Sequence, residues 1–235
     1  RFIKSEIDTL QQIKHPNIIQ TFDISQLGLY LLILMEYAKN GTMADLLAKK
    51  GAFDDELGKI MFRQIVDGLH YMHSNKYAHR DLKLENILLD RNFTPKLADF
   101  TLAKNVSKGL AKLSQTFCGT LPYLPPEIMA NISYDPLIAD IWSLGVCCYV
   151  IMNDGLPFSM GNDAMMYKKQ LARNWTFKRR VEHKLSSQCK DIIKKMLEPD
   201  VNFRITTAKL LAHPWIANVN VPKKFKLDLN ISQFN

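Results

Sequence analysis

From Ile141 to Met152 the chain reads IWSLGVCCYVIM, an apolar stretch broken only by Ser143 and Gly145. A bilayer span needs about 18 to 20 apolar residues, so this run is too short to cross a membrane and has to be a helix covered on all sides by protein. Such a helix requires a large core around it. A chain of 235 residues, 47% hydrophobic and 23% charged, can supply one.

Lys and Arg number 31 against 23 Asp and Glu, a net charge of +8, which favours anionic partners. The basic residues are spread as pairs, such as Lys49-Lys50, Lys168-Lys169, Arg179-Arg180 and Lys194-Lys195, without a dominant block or interleaved aromatics. Solvated helix faces explain them, and no nucleic-acid surface is expected. The four cysteines show no CxxC spacing, which suggests neither a zinc ribbon nor a disulfide framework and favours a reducing, cytoplasmic setting. Asn92-Phe-Thr and Asn131-Ile-Ser match glycosylation sequons but come without a secretory signal, and they are discounted. No two glycines lie two apart, so GxGxxG is absent, and Phe53 stands where a P-loop ending at Gly58-Lys59 needs its first Gly. A nucleotide site has to be built from other parts.

Phe2, Ile3, Ile7, Leu10 and Ile13 share one helical face, and His15-Pro16 ends that helix. Glu6 falls inside the apolar arc, so it either answers the helix macrodipole at a frayed end or has a cationic partner. The segments 18–24 and 30–35 flank Gly28 and read as a hairpin, and Asn40-Gly41 breaks the pattern. Helical spacing then predicts helices near 42–49, 54–73, 140–152, 162–171, 187–197 and 206–211, with short strands near 87–89 and 95–97. His70 and His73 lie at i and i+3, as a metal pair or as an ordinary helix surface.

The stretch His79-Arg80-Asp81-Leu82-Lys83-Leu84-Glu85-Asn86, followed by Asp99-Phe100, carries the chemistry. It gathers a carboxylate able to orient an attacking hydroxyl, oxygen ligands suited to Mg²⁺ and a cation for a transferring phosphate, the parts that phosphoryl transfer from a metal nucleotide requires.

HRDLKLEN resembles the catalytic loop of the eukaryotic protein kinases, H-R-D-L-x-x-x-N, at every fixed position. The resemblance implies an α+β, protein-kinase-like fold with a mainly helical C-lobe and a partial N-lobe of the C helix and two strands. It implies remnant N-lobe at 1–36, C-lobe at 37–218 and a tail at 219–235. It also implies that Asp81 receives the substrate proton, that Asn86 and Asp99 hold Mg²⁺, and that Lys83, two residues after Asp81, marks the serine/threonine branch. His79 and Phe100 would be packing residues. Ser5-Glu6-Ile7 with His15-Pro16-Asn17 resembles the end of the C helix, making Glu6 the partner of a nucleotide-binding lysine. Leu34-Met35-Glu36-Tyr37-Ala38 resembles the hinge: Met35 as gatekeeper, backbone groups of Glu36 and Ala38 facing the adenine of ATP, Leu88 beneath the ring and Glu85 by the ribose. Pro125-Pro126-Glu127 resembles A-P-E, with Arg204 as the partner of Glu127, and Asp140 would support the catalytic-loop backbone. Thr120 would bridge Asp81 and Lys83, and Thr116 would be phosphorylated by an upstream kinase, with Ser107 and Ser114 as alternatives. Protein substrates with Ser or Thr acceptors follow. Thr116-Phe-Cys-Gly-Thr120, Tyr134-Asp-Pro and the helix from Asp140 point to the calmodulin-kinase-like branch and its testis-specific serine kinases.

The pattern departs in three places. The family's Gly-rich loop and lysine strand precede the C helix and are not in this sequence, so the chain is expected to be an incomplete kinase domain, inactive alone, with Glu6 unpartnered. Thr101 replaces the Gly of D-F-G, and its β-branch restricts backbone motion there. Thr42 and Val150 stand where basophilic relatives often carry carboxylates, which weakens a preference for basic substrates. Two other readings stay open: a pseudokinase or scaffold module, and a small-molecule phosphotransferase of the aminoglycoside type, which would lack the 116–127 segment.

Overall fold

A computed structural model describes residues 2–107, 113–158 and 161–222, with side chains from Glu6 onward. The expected tail at 219–235 therefore lies mostly outside the described residues. Helix α1 (Phe2–Gln12) precedes the antiparallel hairpin β1 (Thr21–Leu27) and β2 (Tyr30–Met35). The first strand begins three residues later than the apolar pattern suggests, because Ile18 and Ile19 leave the hairpin and pair with Leu97 instead. Phe22, Leu27, Tyr30, Leu34 and Tyr37 on and beside this hairpin are exposed.

Helices dominate the rest. α2 (Met43–Lys50) opens on a capping box in which Thr42 and Asp45 satisfy each other's backbone N–H groups. α3 (Asp55–Ser74) is capped by Asp54. After it, β3 (Tyr77–Ala78) leads into the catalytic stretch, and β4 (Ile87–Leu89) pairs antiparallel with β5 (Pro95–Leu97). β6 (Lys104–Asn105) pairs with β3, and α4 (Pro126–Met129) follows. The apolar run became α5 (Pro136–Asn153), lengthened at its start by Asp135, whose carboxylate caps Leu137 N, and by Pro136 at the first helical position. By length and composition α5 could cross a membrane, but 83% of it is buried within the fold, so it is the core helix the sequence called for. α6 (Asp163–Leu171), α7 (Arg179–Glu182), α8 (Ser187–Met196) and α9 (Thr207–Leu211) complete the lobe.

Two glycines set how closely these layers approach. A Cβ on Gly145 of α5 would stand 2.7 Å from Met196 Cβ of α8, and one on Gly68 of α3 would stand 2.8 Å from the Asn17 carbonyl oxygen. The second contact locks the segment after α1 onto α3, with Leu97 N donating to Asn17 O at 2.9 Å and Ile19 N to Leu97 O at 2.9 Å. The strand that ends just before Asp99 is thereby fixed to both parts of the chain. Glu127 and Arg204 form a buried bidentate pair, Nη1 to Oε1 at 2.6 Å and Nη2 to Oε2 at 2.9 Å, which ties α4 to the loop after α8.

Candidate active site

Asp140, near the start of α5 and 1% exposed, organises the catalytic stretch. Its Oδ2 accepts His79 N at 2.8 Å and its Oδ1 accepts Arg80 N at 2.8 Å. Arg80 sits at φ +67°, a conformation non-glycine residues avoid, and these two bonds hold it there. His79 is fully buried and packs at a tilt of 56° against Phe100, with ring centroids 5.3 Å apart. Burial drives its pKa down, so the ring is neutral: Nε2 donates to Ala98 O at 2.9 Å and Nδ1 accepts Asp81 N at 3.3 Å.

The side chains around Asp81 form a closed triangle. Thr120 Oγ1 donates to Asp81 Oδ1 at 2.8 Å, Lys83 Nζ donates to Asp81 Oδ2 at 2.8 Å, and the same Nζ donates to Thr120 Oγ1 at 3.0 Å. Burial works to raise the Asp81 carboxyl, but the hydrogen bonds from Lys83 and Thr120 and the charge of Lys83 outweigh it and hold the pKa below the ordinary aspartate value. Asp81 is therefore a carboxylate at neutral pH. Asn86 Nδ2 donates to Asp81 O at 2.9 Å and Oδ2 at 3.1 Å, which leaves its own carbonyl oxygen turned to other use. Asp99 is exposed, takes φ +60°, and receives Thr101 N at 3.4 Å. The amide oxygen of Asn86 and the carboxylate of Asp99 are hard donors of the kind Mg²⁺ takes from a protein, and Ala98 N, donating to Asn86 O at 2.9 Å, ties the residue before Asp99 to Asn86.

In the segment expected to meet adenine, Met35 is 41% exposed and Leu88 half-buried. Glu36 N donates to Gln20 O at 2.8 Å, so that N–H is already committed to the chain, while Ala38 O accepts Gly41 N at 3.3 Å. The Glu36 carboxylate points to Lys96, 2.9 Å away. Glu85 is exposed in the turn after Lys83. Thr116 is exposed, with its carbonyl held by the Tyr134 hydroxyl at 2.8 Å. Ser114, by contrast, is 3% exposed and paired through its backbone with Tyr134, whereas Ser107 is exposed. Thr42 is spent as a helix cap and Val150 is buried in α5.

A family model described as the protein kinase domain matches residues 1–216. The chain belongs to the protein kinase family. It is 36% identical over 220 residues to testis-specific serine/threonine-protein kinase 2 of Mus musculus, covering 92% of this chain and 61% of that protein. Testis-specific serine/threonine-protein kinase 3 of the same organism is 36% identical over 222 residues, 93% of this chain and 80% of the relative. CBL-interacting protein kinase 26 of Oryza sativa is 37% identical over 214 residues, 91% and 42% respectively. The chain thus spans about three fifths of the length of testis-specific kinases 1 and 2.

Within this kinase fold one expectation needs correction. His73 is neither a metal ligand nor a surface residue: it is 9% exposed and its Nε2 donates to Asp140 Oδ2 at 2.9 Å. The signal for it was a polar residue on the buried face of α3, readable only once Asp140 is known to lie opposite. Glu6, expected to lack its lysine partner, lies beside Thr101. Burial raises its pKa, and the Thr101 side chain donates a hydrogen bond that partly offsets this. The β-branched residue in the D-F-G position therefore links α1 to the segment that carries Asp99. Replacing Thr101 by Gly removes that bond and frees the backbone, so amide exchange in the second turn of α1 and at residues 99–101 should rise about tenfold, as for loss of a hydrogen bond to a charged group. Thr101→Ser should retain the native rates. Hydrogen–deuterium exchange decides it, and equal rates in all three proteins would remove the link.

Proposed function

We propose that this chain carries the catalytic lobe of a serine/threonine protein kinase, which transfers the γ-phosphate of ATP to hydroxyls of protein substrates in a cytoplasmic setting. The observation that supports this most is the triangle of Asp81, Lys83 and Thr120 beside Asn86 and Asp99. Asp81 Oδ1 is held by a hydroxyl donor, Thr120, in the way it would hold an acceptor hydroxyl, and being ionised it can take that hydroxyl's proton. Lys83 is anchored at two points, which keeps its ammonium where negative charge would develop on a phosphoryl group. Thr120 belongs to the segment leading to Glu127, and that segment is pinned by the buried Arg204 pair, so the peptide-facing surface and the base share one rigid support. Magnesium ATP, when bound through Asn86 and Asp99, would supply the phosphoryl group and neutralise its charge. Met35, Ala38 and Leu88 offer the adenine one wall, and Glu6 meets Thr101.

The test compares two forms: residues 1–235 alone, and the same residues joined behind the Gly-rich loop and lysine strand of a protein kinase. The first should transfer phosphate to a generic Ser/Thr peptide no faster than its Asp81→Asn variant; the second should transfer it to Ser/Thr and not to Tyr peptides. In the joined form, Thr120→Val should leave nucleotide binding unchanged and cost most of the turnover, since only the register of Asp81 and Lys83 is disturbed. If the joined form binds nucleotide and transfers nothing, the scaffold reading replaces this one.

Thr116 is the modification site this reading assigns. It is exposed, and Arg80, whose Nε donates to Leu102 O at 2.6 Å, is a cation a phosphate could recruit. In the joined kinase made in eukaryotic cells, Thr116→Ala should depress turnover strongly and Ser107→Ala should not. Ser114 is a poor control because its burial makes Ser114→Ala a change to the fold. Equal effects at 107 and 116 would end the assignment.

A further inference from the structure

The loop 172–178, α7 and α8 line a half-open cavity of 540 Å³, and none of its lining residues belongs to the catalytic stretch or the 116–127 segment. Trp175 and Phe177 form its aromatic side, Leu197 adds an apolar contact, and Lys190 and Lys194 face it from α8. The rings are fixed: Trp175 meets Phe177 edge-on at 87° and Tyr149 at 83°, with centroids 5.5 and 5.6 Å apart. The indole Nε1 is buried and has no hydrogen-bond partner among the described residues. The aromatic wall thus offers a ligand its ring faces rather than this covered donor, and a flat apolar body suits those faces.

Charge points the same way. Arg173 and Glu198 on the rim satisfy each other at 2.5 Å. Lys190 and Lys194, one helical turn apart, form no ion pair among the described residues, and Glu182 is the remaining acid of the lining. A volume of this size with mainly apolar walls and a few convergent polar groups suits a small molecule rather than a protein surface. We propose that this cavity binds an amphipathic carboxylate, its flat apolar body against Trp175 and Phe177 and its carboxylate shared by Lys190 and Lys194. The proposal is independent of phosphoryl transfer, since no residue of the triangle takes part.

The probe is 2-naphthoate, titrated calorimetrically into residues 1–235, with 2-naphthylmethanol as the neutral analogue and acetate as the charge without the ring. One naphthoate should bind per chain, at least about tenfold tighter than the alcohol, as for a charge-assisted hydrogen bond, and acetate should give no heat. Lys190→Ala with Lys194→Ala should abolish the preference for naphthoate over the alcohol. The exposed pair Lys49→Ala with Lys50→Ala should leave it intact, which separates the site from net charge. Trp175→Phe keeps an aromatic ring against the apolar body and should leave the preference for naphthoate over the alcohol intact. Equal binding of acid and alcohol, equal losses from both lysine pairs, or no heat at millimolar naphthoate would each overturn the proposal. The lysine variants lie on the surface of α8 and keep the test valid even if Trp175→Phe unfolds.

Discussion

Asp81→Asn in the kinase joined to a Gly-rich loop and lysine strand should lower turnover about 10²- to 10⁴-fold, the usual contribution of a positioned acid or base, with little change in nucleotide affinity. Asparagine keeps the shape of the side chain and can still accept from Thr120, so the fold around it should survive. It cannot take a proton, and it removes the charge that anchors Lys83 at 2.8 Å and receives Asn86 at 3.1 Å. The loss should therefore appear in kcat and not in the KM for ATP. Because the Asp81 pKa lies below the ordinary aspartate value, the acid limb of the pH profile should fall below that range too: activity is present above it and lost as pH drops through the folded-state pKa. A variant retaining more than about a tenth of the parent turnover would show that proton transfer to Asp81 is not part of the rate-determining chemistry.

Arg204→Ala should destabilise residues 1–235 by about 3–5 kcal/mol, because it strands Glu127 as an uncompensated buried charge. The Arg204 side chain is 0% and that of Glu127 6% exposed, so water cannot take over the lost partner. Arg204 also donates to Glu198 O at 2.8 Å and to Ile138 O at 3.2 Å, and its guanidinium lies 5.1 Å from the centre of the Trp142 ring. Removing both charges together, as Glu127→Leu with Arg204→Met, should recover most of the loss, since a well-packed apolar pair avoids the desolvation cost. Urea unfolding measures this as a shift in midpoint at constant slope. A loss under about 1 kcal/mol for Arg204→Ala would mean that Glu127 finds water or another donor.

Much of this protein was legible along the chain. Helical periodicity located α2, α3, α5, α6, α8 and α9 to within a few residues, since each buries one long stripe that the spacing of apolar residues records. β3, β6, α4 and α7, of two to four residues each, left no such record: they are too short to show a period and, as with β3 and β6, are held by partners elsewhere in the chain. The catalytic stretch could be read because its residues lie within eight positions of one another, a separation that a short loop bridges unaided.

The amino-acid sequence by itself determined the family, the order of helices and the set of side chains able to carry phosphoryl transfer. Tertiary structure alone decided which of them meet. Asp140 collects His73, His79 and Arg80 from positions some sixty residues earlier in the chain. Thr120 joins Asp81 from beyond the intervening segment, Lys96 finds Glu36, and Thr101 finds Glu6. The physical reason is that a buried polar group must be satisfied wherever the packing leaves it, and packing is set by contacts between distant elements, as where Gly68 admits Asn17 and Gly145 admits Met196. Local sequence specifies what each element can offer, and only the packed core brings a given donor to its acceptor.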